Sequence, residues 1–161
     1  MRIVVISDTH IPVVSNKIPS KILEELKNSD LCIHAGDLID TTVTKEILQY
    51  TELKAVKGNM DSNDIQKNFP DKLILKLDEV KIGLIHGSGS PFNIISRVED
   101  SFEEPLDMYI FGHTHSAYDK IHEGKIFFNP GSPTDKFFSK FNSYGILNIE
   151  GDCIERKIIV M

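Results

Sequence analysis

From Arg2 to Val56 the chain alternates short apolar runs with stretches of helical spacing, and few folds accept that alternation. Arg2–Ser7 is β-branched and apolar and reads as a buried strand. Ile18–Asn28 carries Ile22, Leu23 and Leu26 at helical spacing, and Asp30–His34 reads as a second strand. Thr41–Tyr50 is predicted to be a helix capped by Asp40 or Thr41, with Val43, Ile47 and Leu48 on one side, and Leu53–Val56 is a third strand. Strand, helix, strand, helix, strand implies parallel βαβ units.

The second half is built differently. Leu73–Leu77 and Val80–Ile85 flank Asp78-Glu79 as a hairpin, Pro91–Asp100 has Ile94, Ile95 and Val98 on one helical face, and Met108–Phe111 is a strand. Ala117–His122 meets Lys125–Phe128 at Glu123-Gly124, and Tyr144–Glu150 meets Cys153–Val160 at Gly151-Asp152. The expected fold class is α/β: two mixed sheets packed together with helices outside, in a single domain over residues 1–161.

Composition removes several function classes. No apolar stretch approaches the roughly 20 residues of a membrane helix. MRIVVISDTH reads as a first strand and not a signal peptide, so a cytoplasmic location is expected. The net charge of −6 argues against stable nucleic-acid binding, and an acidic chain that handles phosphate needs a local positive charge, which metal ions supply. Cys32 and Cys153 both lie in apolar segments and are expected to be buried thiols.

The chemistry is concentrated where strands stop. After the first strand come Asp8 and His10, after the second Gly36-Asp37, and after the third Gly58-Asn59. His86-Gly87 follows Val80–Ile85, and Gly112-His113-Thr114-His115 follows Met108–Phe111. Ligands of α/β sheets bind at the carboxyl ends of strands. Taken singly, Gly-Asp or Gly-Asn is an everyday turn; the ordered set of five strand ends is specific. Asp8, His10, Asp37, Asn59, His86, His113 and His115 are seven donors, more than one ion takes, and they suit two metals sharing a carboxylate. Mixed oxygen and nitrogen donors without cysteine favour Mn, Fe, Zn or Ni. If the His113–His115 loop is extended, both imidazoles point to the same side, so one loop serves both ions.

With "SDTH", "HAGD", "KGNMD", "LIHG", "FGHTH" and "NPGS" in this order, the chain resembles the calcineurin-like metallophosphoesterases over essentially its whole length, and in particular their small single-domain phosphodiesterases of bacteria and archaea. The resemblance implies the αββα metallophosphoesterase fold. It implies that Asp8, His10 and His115 bind one ion, that Asn59, His86 and His113 bind the other, and that Asp37 bridges them. Mn²⁺ is the expected ion, with Fe, Ni or Zn as alternatives, and a homo-oligomer, dimer or tetramer, is expected. The activity implied is hydrolysis of a small phosphate diester, a metal-bridging hydroxide being the nucleophile and Asp37, Asn59, His86 and His113 its catalytic surroundings. Two metals about 3.5–4 Å apart make such a nucleophile available at neutral pH.

Where many relatives carry Gly-Asn-His, this chain has Gly58-Asn59-Met60, and Met60 cannot carry a proton. Diesters with good leaving groups are therefore the expected substrates. The alternatives are a phosphomonoesterase acting on nucleotide or sugar phosphates and a non-catalytic protein-binding scaffold of the same fold. Asp61 reads either as the partner of a histidine ligand or as a turn carboxylate capping its own loop. His34 is expected to be a hydrogen-bonded core histidine, His122 a solvated hairpin residue, and Lys57 and Arg97 surface charges. Gly87–Ser90 reads as a helix-entry loop and Asn129–Ser132 as part of the rim near His10. Phe137, Phe138 and Phe141, with Lys136 and Lys140, form an aromatic cluster that suits a subunit contact or a substrate wall equally.

Overall fold

A computed structural model describes residues 1–135 and 137–161. It contains ten strands and four helices: β1 (Arg2–Ile6), α1 (Ser20–Leu26), β2 (Leu31–His34), α2 (Thr41–Ile47), β3 (Glu52–Ala55), α3 (Asn63–Asn68), β4 (Lys72–Leu77), β5 (Val80–Ile85), α4 (Ile94–Asp100), β6 (Met108–Ile110), β7 (Tyr118–His122), β8 (Lys125–Asn129), β9 (Ser143–Glu150) and β10 (Cys153–Val160). One five-stranded sheet has the order β10-β9-β1-β2-β3 and the other β4-β5-β6-β8-β7. In the first, β1, β2 and β3 run parallel and β9 and β10 antiparallel. In the second, β5, β6 and β8 run parallel, and β4 and β7 are antiparallel edges.

Period-two alternation builds three apolar layers. Ile3 and Val5 of β1 face the space between the sheets, where they meet Ile82, Leu84, Met108, Ile110 and Phe128. Val4 and Ile6 face outward onto Ile22 and Leu26 of α1 and Val43 and Ile47 of α2. On the far side of the second sheet, Tyr109 and Phe127 stack with centroids 4.8 Å apart and pack with Ile94 and Val98 of α4. The double-sided burial of β1, β2 and β6 explains why these strands read as continuous apolar runs.

The expected two-sheet architecture is the observed one, with corrections of detail. Asp40 caps α2 by accepting from the Thr42 amide at 2.8 Å, but the helix ends at Ile47 and Leu48 points into solvent. The α3 turn was not anticipated, because Ile65 is its only buried residue and no apolar stripe marks it. Cys32 is buried, whereas Cys153 opens the edge strand β10 and is exposed; both are free thiols. No helix among the described residues is long and apolar enough to cross a membrane.

Candidate metal centre

Asp8 and His10 follow β1, Asp37 follows β2, Asn59 follows β3, His86 follows β5, and His113 and His115 follow β6. All seven thus leave the carboxyl ends of parallel strands, from both sheets. The loops are laced together by backbone bonds: the Asp8 amide donates to Gly36 O at 3.0 Å, and the Gly112 amide to His86 O at 3.0 Å. The His113 amide donates to the Asp8 carboxylate at 3.1 Å.

The backbone of this centre is unusual. Asp8, His10, Asp37, His113 and His115 all have positive φ, between 45° and 68°. Non-glycine residues enter that region at a cost of roughly 1–3 kcal/mol each. The His113–His115 segment is therefore not extended, contrary to the sequence-based expectation. The left-handed kinks send the two imidazoles apart: His113 Nδ1 lies 3.1 Å from Asn59 Oδ1, and His115 Nε2 lies 3.1 Å from His10 Nε2. His115 joins Asp8 and His10, whereas His113 meets Asn59 and lies outside both groups of converging carboxylate and imidazole atoms.

Two clusters result. His10 Nε2 and His115 Nε2 converge with Asp8, whose Oδ1 lies 3.5 Å from His115 Nε2. Asp37, Asp8 and His86 form the second group, with ligand atoms within 4.8 Å of one another. Asp37 Oδ2 stands between the two, 3.6 Å from His10 Nε2 and 3.3 Å from His86 Nε2. Asp8 also reaches across, its Oδ1 being 3.9 Å from His86 Nε2. The nitrogen pair at 3.1 Å matches two imidazoles on one ion, since bonds of about 2.0–2.1 Å put neighbouring ligands about 3 Å apart.

The remaining ring nitrogens fix which atoms are free. His86 Nδ1 donates to Ala35 O at 2.7 Å, which turns Nε2 toward the centre. His115 Nδ1 donates to Asp135 Oδ2 at 2.8 Å, again freeing Nε2. His113 Nε2 donates to Gly89 O at 2.8 Å, so its Nδ1 faces Asn59. These three imidazoles are thus held as metal-ligating histidines are normally held. Among the described residues, His86 Nε2 is the one buried side-chain nitrogen or oxygen without a hydrogen-bond partner. A bare nitrogen between two buried carboxylates is poorly accounted for by packing and well accounted for by a cation. Burial alone would lower the His86 pKa, but the Asp37 and Asp8 carboxylates reverse this and push it up to about 9. A cation entering the centre has to displace that proton.

Several readings change once the site is assembled. Asp61 makes its hydrogen bonds to backbone and not to a histidine; it accepts from the amides of Gly58 (2.7 Å), Ile39 (2.6 Å) and Asp37 (3.2 Å), joining the Asp37 and Asn59 loops. Asn129–Ser132 is a buried brace and not a rim: Asn129 Nδ2 donates to Gly112 O at 2.8 Å and Ser132 Oγ to Asp8 O at 2.7 Å. His34 is a satisfied core histidine, with Thr9 Oγ1 3.1 Å from Nε2 and the Gly36 amide donating to Nδ1 at 3.2 Å; burial pushes its pKa down to about 3. His122 is exposed against Tyr118. Arg97 folds back onto the carbonyls of Ser88, Ser90 and Phe92, and Lys57 pairs with Asp71 at 3.2 Å. Phe137 and Phe138 stand at the mouth of the centre, while Phe141 lies apart under Lys140. Lys136 lies outside the described residues.

Asp135 is the residue that sequence reasoning missed. It sits 20 positions beyond its partner His115, in a turn with no strand or helix to flag it. Burial opposes its charge, but the amides of Phe137 and Phe138 and the His115 ring more than offset this and hold its pKa below the ordinary carboxylate range. Asp135→Asn is expected to lower metal affinity and activity by about 10–100-fold, the usual cost of losing a ligand's hydrogen-bond partner. Isothermal titration with Mn²⁺ checks this; an unchanged affinity would show that Asp135 serves only its own turn.

Two grooves meet at the centre. One, of about 820 Å³, is mostly apolar and exposes His10, Asp37, Asn59, His113 and His115. The other, of about 580 Å³, is lined mainly by polar and charged residues, among them Asn59, His86, Lys57 and Arg97.

Residues 1–152 match the calcineurin-like phosphoesterase superfamily domain. A probable metallophosphoesterase of Methanothermobacter thermautotrophicus is 32% identical over 160 residues, covering 99% of this chain and 92% of that protein. A solved structure described as a novel archaeal phosphodiesterase superposes with a TM-score of 0.75 at 26% identity and covers 100% of both chains. Vacuolar protein sorting 29 of Cryptosporidium parvum shares the fold, with a TM-score of 0.81 at 21% identity over 99% of this chain and 96% of that one.

Proposed function

Because the chain belongs to the calcineurin-like phosphoesterase superfamily, we propose that it is a phosphodiesterase dependent on two divalent metal ions. The observation that carries this reading is the bare Nε2 of buried His86 between Asp8 and Asp37. Asp8, His10 and His115 would hold one ion, Asn59, His86 and His113 the other, and Asp37 both. Bound there, two transition-metal ions, Mn²⁺ first among them, supply the Lewis acidity and activated water that hydrolysis at phosphorus needs.

The chain's own residues set the rest. Asp8 and Asp37 bring two negative charges into a buried centre and so offset much of the charge of two divalent cations. Asn59 offers an oxygen without adding a third. Hydrogen bonds from His86, His113 and His115 to Ala35, Gly89 and Asp135 fix the rings before substrate arrives. Met60, on the lip beside Asn59, donates its amide to Asp37 Oδ1 at 2.7 Å and offers the leaving group no proton. Esters whose leaving groups depart as stable anions fit this best, which favours activated diesters over monoesters. A cytoplasmic, homo-oligomeric enzyme acting on small phosphate esters is consistent with this reading.

Hydrolysis of bis-p-nitrophenyl phosphate by chelator-stripped protein, before and after Mn²⁺, tests the proposal. Turnover restored by metal is the expected result. No turnover with Mn²⁺, Ni²⁺, Fe²⁺ or Zn²⁺ overturns it and transfers weight to the monoesterase or the scaffold.

A further inference from the structure

The two grooves at the metal centre differ in chemistry, and a phosphate diester has two arms. We infer that the apolar groove receives one aromatic ester arm of the substrate, with Phe137 and Phe138 as its specificity-determining wall, while the other arm lies in the polar groove; this rests on the diesterase reading. Phe137 and Phe138 are 82% and 78% exposed, and Val13 and Met60 face the same groove at 73% and 57%. Four largely exposed apolar side chains around one depression are an unsatisfied surface that a ligand would cover. The depression is continuous with the metal centre, since its floor includes five of the candidate ligands. A group seated there is therefore joined to whatever the metals hold.

The wall is also registered to the chemistry. Asp135 Oδ2 orients His115, and the same carboxylate accepts from the amides of Phe137 (2.7 Å) and Phe138 (3.1 Å). The Phe138 ring meets the His115 ring edge to face, with centroids 5.7 Å apart. One acid thus sets the position of both a candidate ligand and the aromatic wall. Aromatic faces with Tyr118 nearby suit a planar ring, which stacks without needing a specific hydrogen-bond pattern. Among the described residues lining this groove none is Lys or Arg, and its most exposed side chains are apolar. The other groove is lined by Gln66, Ser88 and Ser101 beside the Lys57–Asp71 pair, and there a polar arm finds hydrogen-bond partners.

Calorimetric binding of dimethyl, methyl phenyl and diphenyl phosphate to the Mn²⁺-loaded chain tests the asymmetry. The first phenyl group is expected to tighten binding on the order of tenfold, the usual effect of one stacked ring. The second phenyl group should add less than about threefold, because only one groove has a wall of Phe and Tyr rings. The variant F137A/F138A, altered only at exposed side chains, should bring the methyl phenyl ester down to the affinity of the dimethyl ester. With bis-p-nitrophenyl phosphate its defect should fall on KM, by about tenfold, and far less on kcat. Equal affinity for the three diesters, no measurable binding of any of them, or an aryl preference retained by F137A/F138A overturns the inference. Calorimetry reads binding whether or not ester is cleaved. Aryl preference without turnover would therefore remove the diesterase and keep the wall, and turnover without aryl preference would do the reverse.

Discussion

Asp37→Asn is expected to abolish activity against bis-p-nitrophenyl phosphate, by more than about 100-fold, beyond the range seen when a ligand merely loses its supporting partner. It is also expected to reduce bound metal to fewer than one ion per chain, against the two proposed for the wild type. The Asp37 carboxylate is the negative charge nearest to His86 Nε2 and also lies beside His10 Nε2. Burial works against its ionisation, yet the His86 ring and the Met60 amide outweigh that and hold its pKa below the usual range, so it is charged at neutral pH. An amide in its place keeps the shape and loses the charge that two cations would share. Metal analysis of the purified variant separates this from a fault in chemistry alone: an Asp37→Asn chain that holds two ions at full occupancy would show that Asp37 is no bridge. His122→Ala, at an exposed hairpin position, is the control and should retain wild-type activity and metal content.

Gly58→Ala should be nearly as damaging by another route. A Cβ at position 58 would overlap Asp37 Oδ1 and the Asp37 amide nitrogen and come within 2.8 Å of Asp37 Cγ. Neither neighbour is free to yield. The Asp37 amide donates to Asp61 at 3.2 Å, Asp37 Oδ1 accepts from Met60, and the Gly58 amide itself donates to Asp61 at 2.7 Å. Overpacking of this kind costs roughly 1–3 kcal/mol. Here the cost falls on the candidate bridging carboxylate, so denaturant unfolding should show the loss in stability and metal analysis a loss of bound metal. A Gly58→Ala chain that unfolds at the wild-type denaturant midpoint and loads two ions would contradict the packing of these loops.

The same residues show why sequence reading reached as far as it did. Parallel strands buried on both faces leave long β-branched runs, and their carboxyl ends are marked by polar residues beside glycine; the seven candidate ligands could be named on that pattern. Gly58 was legible as a site glycine, but its reason, the approach of Asp37 from another loop, was not. What stayed hidden depended on contacts remote in sequence. Asp135 lacks an element of its own, α3 offers one buried side chain, and Asp61 gives its oxygens to amides that no local pattern announces. The kinked backbone at His113 and His115 was hidden for a related reason: local preference favours extended chain there, and the surrounding loops override it.

Both sheets are open, so the fold leaves four edge strands whose backbone could in principle pair with another chain. Each carries charge along its length: Glu155, Arg156 and Lys157 on β10, Glu52 and Lys54 on β3, Lys72 and Lys76 on β4, and Asp119 and Lys120 on β7. Charged edges deter the strand-to-strand addition that leads to aggregation. Copies of this chain are thereby steered away from joining through continuous sheets, and any association between them is left to side-chain surfaces, where it can be specific and can end at a closed number of subunits.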